Sequence, residues 1–512
     1  MIGFWLALAP SAEALTVSSI DCVQHVDNVL RYDCEVETSP GQIRLRVRDG
    51  ALGFVRVTDA TAEGTTHRVT VYGLEAASTY TVDVIGRDSG AFSWGLVPGS
   101  DDTFTTGDLF GMAGVAPFNQ LMVRTSVRSG AVPRTSRVLT SVECGGVEAA
   151  VVFDQDGDVQ WYEILDASNL SVIESSPMGG VIVDEGQRSI REITFDGQTR
   201  KTYDFGPAGE CEGGLGPCPH HEVAPTFDGT YVLDATLDEV SYGSWGLSGC
   251  MTKSSYAIDG VTLLDRNWTT VLDEWTLDGD FGYDLDLDLG PNTNPAVPVP
   301  SCTSWWGGVL GAKDAPIDPI HINAFALDGD LVTASLQGWD QIAQLDLATR
   351  TVRWRLHMTD PAYSDFDVPA RISPTVTENA TVGMVGQHHL SWQPDGSLLM
   401  LDNKGGTHAR AMGVNLNEVS GLATILRVWT LVDDDGGTYI NPTPMSCPIR
   451  GSAFGIGPGR VLATCAEEAA VMELDAVDGS WAAGPAWYLE ASCMFTGGPA
   501  GGFYRVLPLE DF

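Results

Sequence analysis

Positive charge is what this sequence has least of. Its 512 residues hold 28 Lys+Arg against 68 Asp+Glu, a formal net charge of −40. A surface of that sign repels phosphate backbones and anionic bilayers, which excludes nucleic acid as a partner; it suits solubility in a salty medium. Long apolar runs are missing as well. After the N-terminus no stretch holds the roughly 20 apolar residues of a spanning helix, so no membrane span is expected. Helical periodicity is almost absent. No Gly-rich phosphate loop, Ser-His-Asp order or doubled Cys-x-x-Cys pattern is present, which removes the usual motifs for nucleotide, serine-hydrolase and zinc-ribbon chemistry.

What is present points to export. The opening MIGFWLALAPSAEA joins an apolar run to Ala12-Glu13-Ala14, the small-x-small pattern of a signal peptidase site, so residues 1–14 are expected to be a signal peptide. No Lys or Arg precedes the apolar run; a mis-assigned start codon would explain this. Ten cysteines, an even number, suit disulfides in an oxidising compartment. The expected pairs are Cys22/Cys34, Cys211/Cys218, Cys447/Cys465, Cys250/Cys302 and Cys144/Cys493, with free buried thiols as the alternative. A periplasmic or secreted location follows. Oligomeric state is left open.

Short alternating runs between Gly, Asp and Pro turns make the chain all-β. Residues 15–108 form a first unit. Its GLEAASTYTVDVIG, with Leu74 six residues before Tyr80, resembles the tyrosine-corner segment of a fibronectin-type-III-like β-sandwich. From 115 to 512, Asp-Gly turns recur in FDQDGDVQW, ITFDGQ, TFDGTYVL, WTLDGD, ALDGDLVTA and QPDGSLLML. Hairpins repeated over so long a stretch suggest a radial repeat, and a six-bladed β-propeller is expected.

Aligning the hairpins on their turns brings out three histidines. HEVAPTFDG, HINAFALDG and HHLSWQPDG place His221, His321 and His388 seven residues before Asp228, Asp328 and Asp395. Side chains alternate along strands, so equal offsets predict equal heights on one face, and all three imidazoles are expected at one channel mouth with Asn323 beside His321. His220 and His389 are expected on the opposite face as packing residues; His25, His67, His357 and His408 fall outside the register. Two chemistries suit such a trio: a metal site, which would make a metal-dependent hydrolase or lyase, or nucleophilic and acid/base work by neutral imidazole.

The stretch DPIHINAFALDGDLVTASLQGWDQIAQLDLATRTVRWRL, then GQHHLSWQPDGSLLMLDNKGG, with the earlier HHEV, resembles the arylsulfotransferase family. The resemblance implies transfer of a sulfuryl group from an aryl sulfate to a phenol, with no nucleotide and no metal or other cofactor. It implies His388 as the nucleophile that becomes sulfohistidine, His221 and His321 as partners for the sulfuryl oxygens or the phenolic proton, and Asn323 as a hydrogen-bond donor. Asp402 and Asn403 match the family motif as candidates for a structural role. The family carries an arginine in the strand after His-Ile-Asn, where this chain has Gln337, which keeps a donor and loses the charge. Lys404, 16 residues after His388, is the candidate replacement cation. A catalytically lapsed or repurposed ligand-binding propeller is the alternative that Gln337 raises.

Two smaller signals remain. Asp284, Asp286 and Asp288 are spaced as in a calcium loop but lack its glycine and final glutamate, so a solvated acidic loop is the competing reading. Trp305 and Trp306 suit either the wall of an aromatic acceptor pocket or ordinary packing.

Overall fold

The computed structural model describes residues 15–509 apart from 51–52, 111–113, 166–172, 186–187, 207–217, 241–253, 282–320, 338–339, 359–360, 362–363, 368–370, 374–382, 404–407, 434–442, 448–449, 476–483, 494–500 and 504. The proposed signal peptide, Lys404, the Asp284–Asp288 loop and Trp305 and Trp306 lie outside the described residues. So do Cys211, Cys250 and Cys302. Among the described residues the protein is all-β apart from the 3-10 turn Phe118–Gln120 and the one-turn helix Leu277–Phe281. No described helix is long and apolar enough to cross a membrane.

The chain divides into two compact units, Met1–Asn119 with Asp158–Glu163, and Gln120–Gly157 with Ile164–Phe512. The first is organised by the long strand Asn28–Asp49. Its first half pairs with Val17–His25 and Gly64–Val71, and its second with Gly53–Val57 and Thr79–Asp88. Alternation along these strands buries Ile43, Leu45, Val47, Val82 and Val84 together. Cys22 and Cys34 face each other across one strand pair and form a disulfide. The backbone N–H of Glu75 donates to Tyr80 Oη at 2.8 Å, closing a corner over the buried Leu74.

The second unit holds six sheets of four or more strands among the described residues. Four of them are built on consecutive antiparallel strands. Ile173–Ser175, Val181–Glu185, Ser189–Ile193 and Thr199–Asp204 form one. Cys218–Pro225, Gly229–Val240, Ser254–Asp265 and Val271–Thr276 form the next. Ile322–Asp328, Leu331–Leu336, Gln341–Asp346 and Thr351–His357 follow. Then come Gln387–Trp392, Leu398–Asp402, Arg410–Asn417 and Leu422–Thr430, with Arg371–Ile372 added in parallel.

In the last two sheets, strands from opposite ends of the unit meet. Ala453–Gly455, Arg460–Cys465, Ala470–Asp475 and Trp487–Cys493 accept the early strand Leu121–Val127 at their edge. Arg137–Cys144 pairs with Val147–Asp154 and also with the late strands Gly501–Gly502 and Leu507–Leu509. The Cys144–Cys493 disulfide joins these two sheets. Consecutive sheets share apolar layers: Leu233, Trp275, Phe325 and Leu345 in one, Ile342, Trp354, Met400 and Ile425 in the next. Each fully buried aliphatic side chain of this kind contributes about 2 kcal/mol by leaving water.

Candidate active site

His221, His321 and His388 stand at the starts of the first strands of three consecutive sheets, Cys218–Pro225, Ile322–Asp328 and Gln387–Trp392. The pleat is broken at each. Register shifts fall between Pro219 and Val223, Ile322 and Ala324, and His388 and Leu390. His221, His321 and His389 have φ of 57°, 47° and 49°. Left-handed backbone costs a non-glycine residue about 1 kcal/mol or more, and bulges of this kind re-aim side chains beside functional sites.

The bulges change which residues meet. The hairpins also close at different places, Pro225↔Thr230, Asp328↔Leu331 and Trp392↔Leu398, so the seven-residue offset alone does not set equal heights. Strict alternation would send His220 away from the trio. Its ring instead lies 4.9 Å from that of His221 and 6.3 Å from that of His321. His220 Nε2 is 3.2 Å from Asp259 Oδ1, while Asp259 Oδ2 accepts the N–H of Ile322. His389 packs on Phe454.

His221 Nε2 and His321 Nε2 are 3.1 Å apart, one donating to the other. His388 is held at both nitrogens. Nδ1 lies 2.9 Å from Gly386 O and 2.7 Å from Asn403 Oδ1. Asn403 donates through Nδ2 to Cys447 O at 2.7 Å and to Arg450 O at 2.9 Å, which fixes its Oδ1 as the acceptor. Facing a carbonyl and an amide oxygen, Nδ1 must carry the proton, and the lone pair is on Nε2. Nε2 accepts the backbone N–H of Arg450 at 3.2 Å.

The loop before His388 is braced by buried polar groups. Val385 N–H donates to Asp402 Oδ1 and Gly386 N–H to Asp340 Oδ1, each at 3.0 Å. Asp402 forms a fully buried ion pair with Arg410, Nε to Oδ2 at 2.7 Å. Asn323 donates to Gln387 O at 2.6 Å, on the backbone next to His388. Gln337 donates its backbone N–H to His321 O at 3.0 Å. Its side-chain Nε2 lies 3.7 Å from where a Cβ on Gly386 would stand.

Burial sets the protonation of the cluster. His388 is 1% exposed, and burial pulls its pKa down to about 4 against the hydrogen bonds it donates to Gly386 and Asn403, which favour the cation. Burial lowers His221 well below the ordinary value, and His321 and His220 add to the effect. Both rings are neutral at pH 7. Burial also raises the Asp234 carboxyl to about 7.

Metal chemistry has a weaker footing. The described donor set with atoms within 4.8 Å of one another is Cys447, Cys465 and Glu467, and its two sulfurs are joined in a disulfide. The three histidines form no such set with a third donor among the described residues.

The chain is all-β, with three histidines at the starts of three strands. The arylsulfotransferase (ASST) family model matches residues 129–421, more than half of the chain, and the protein belongs to that family. Membership supports an aryl sulfotransferase activity. No curated protein is matched. Among solved structures, a streptogramin B lyase is 11% identical over 69% of this chain and 83% of that one, with a TM-score of 0.32. A nidogen/laminin complex is 10% identical over 73% and 99%, with a TM-score of 0.36. Apo AztD from Citrobacter koseri is 10% identical over 91% and 98%, with a TM-score of 0.29. Likenesses this distant carry no inference about this chain.

Asn403 and Arg450 are the functional candidates that sequence reasoning placed too low or missed. Asn403 had a signal in the Asp402-Asn403 pair. Arg450, far from His388 in sequence, had none.

Proposed function

We propose that this protein is an exported aryl-sulfate sulfotransferase that works through a sulfohistidine at His388. The observation that carries the reading is the state of that ring. Its proton is committed to Gly386 O and Asn403 Oδ1 through Nδ1, which leaves the ring neutral with its lone pair on Nε2, capped by the Arg450 N–H, in a buried site.

In the first half-reaction Nε2 attacks sulfur as the S–O bond to the donor phenol breaks, and the electron pair leaves on the phenolate oxygen. The imidazolium-like intermediate keeps its Nδ1–H on Asn403, a bond that strengthens as charge develops. In the second, an acceptor phenol attacks the same sulfur and the N–S bond returns its pair to Nε2. His221, held neutral by burial, is paired with His321 through Nε2, and this pair takes the acceptor proton. A pair that holds no spare proton favours donors whose phenolate leaves unaided.

The six sheets of the second unit would be the blades of a propeller, with the first unit a fibronectin-type-III-like sandwich. Disulfides at Cys22–Cys34, Cys144–Cys493 and Cys447–Cys465 support an oxidising destination, periplasmic or extracellular. The test is incubation with 4-nitrophenyl sulfate and a phenol. Nitrophenol release and a sulfuryl adduct on His388 are expected, both lost in His388→Ala. Binding of the sulfate ester without release or adduct would instead support a repurposed ligand-binding protein.

A further inference from the structure

We propose that Arg450 supplies the anion-binding contact for the sulfuryl group, its backbone N–H and its guanidinium together receiving the sulfate oxygens at His388. The inference rests on the sulfotransferase reading and assigns that site a residue more than sixty positions beyond the nucleophile.

Four features hold Arg450 where this role needs it. Its N–H points at His388 Nε2 from 3.2 Å, the atom that would bond to sulfur. Its carbonyl accepts from Asn403 Nδ2, the same amide that orients His388. Next in the chain, Gly451 has φ 106°, and a Cβ there would lie 2.4 Å from Thr464 O, so the backbone is pressed against the strand Arg460–Cys465. The Cys447–Cys465 disulfide ties the near end of the segment to that strand. Arg450 itself has φ 63°, a conformation an arginine adopts only when its surroundings impose it.

The chemistry follows from this placement. For Nε2 to bond to sulfur, the Arg450 N–H must give up its hydrogen bond to that lone pair, and the released amide then turns to a sulfuryl oxygen. The side chain brings positive charge to a protein of net charge −40. That charge already acts on both His388 and His221, lowering their basicity. A guanidinium suits a sulfate as it suits a phosphate, through paired N–H donors.

Arg450→Gln keeps the backbone amide and removes the charge, and Arg450→Lys restores charge without the fork. The expected result for Gln is a rise in KM for 4-nitrophenyl sulfate of about 10–100-fold, as for loss of a charged hydrogen bond. KM for the phenol should stay unchanged, inhibition by inorganic sulfate should weaken in parallel, and Lys should recover part of the loss. Unchanged donor KM and sulfate inhibition in Gln would overturn the proposal. So would equal losses in Gln and Lys with a lowered Tm, which would mark a structural role. If the native protein shows no turnover, the sulfotransferase reading fails and titration with 4-nitrophenyl sulfate decides the site. Binding lost in Gln supports the anion contact, and binding equal in both proteins or absent from both overturns it.

Discussion

Acid should leave this enzyme working where an ordinary histidine nucleophile would have stopped. The attacking form of His388 is neutral, and burial pulls its pKa from 6.5 to about 4. At pH 5 a group of pKa 4 is about 90% unprotonated, whereas one of pKa 6.5 is about 3% unprotonated. The ratio of kcat/KM at pH 5 to that at pH 7.5 should therefore be near 0.9 rather than near 0.03 by the same arithmetic. A stopped assay with 4-nitrophenyl sulfate, made alkaline before reading, measures it. Folding must be followed alongside. The unfolded chain takes up this proton near 6.5 and the folded one only near 4, so stability is lost as pH falls below about 6.5. The loss is about 1.4 kcal/mol per pH unit for His388, reaching about 3 kcal/mol by pH 4. His221 and His389, also lowered by burial, act in the same direction. A half-maximal kcat/KM near pH 6.5 in protein that circular dichroism shows to be folded would refute the neutral, buried nucleophile.

Two substitutions test the scaffold around it. Asn403→Asp sets a carboxylate against Nδ1–H, which favours the imidazolium, so the acid limb should move up by about one pH unit or more; an unmoved limb would reject the Nδ1–Asn403 contact as the one that orients the ring. Arg410→Met strands the buried Asp402 carboxylate and should lower unfolding free energy by about 3–5 kcal/mol in a denaturant titration, and a loss under about 1 kcal/mol would mean that the pair does not brace the His388 loop.

The sequence by itself determined what depends on near neighbours. Alternating runs and Asp-Gly turns marked the strands, because a pleat and a tight turn are each specified within a few residues. The Cys22–Cys34 and Cys447–Cys465 bridges were legible because each joins cysteines close in sequence, and Cys144–Cys493 was expected as a tie from the start of the second unit to its end. The shared offset of His221, His321 and His388 from their turns singled out three residues that stand at the starts of the first strands of consecutive sheets. Tertiary structure decided how they meet. Bulges at His221, His321 and His389 turn the backbone left-handed, brought His220 beside the trio and cancelled the simple alternation, since only packing from adjacent sheets imposes such a φ. Asn403 gained its orienting role from the carbonyls of Cys447 and Arg450, which belong to a segment more than forty residues further on. Arg450 carries no local signature at all. It reaches His388 because two distant segments are held side by side, and a contact of that kind is written in the fold rather than in any stretch of chain.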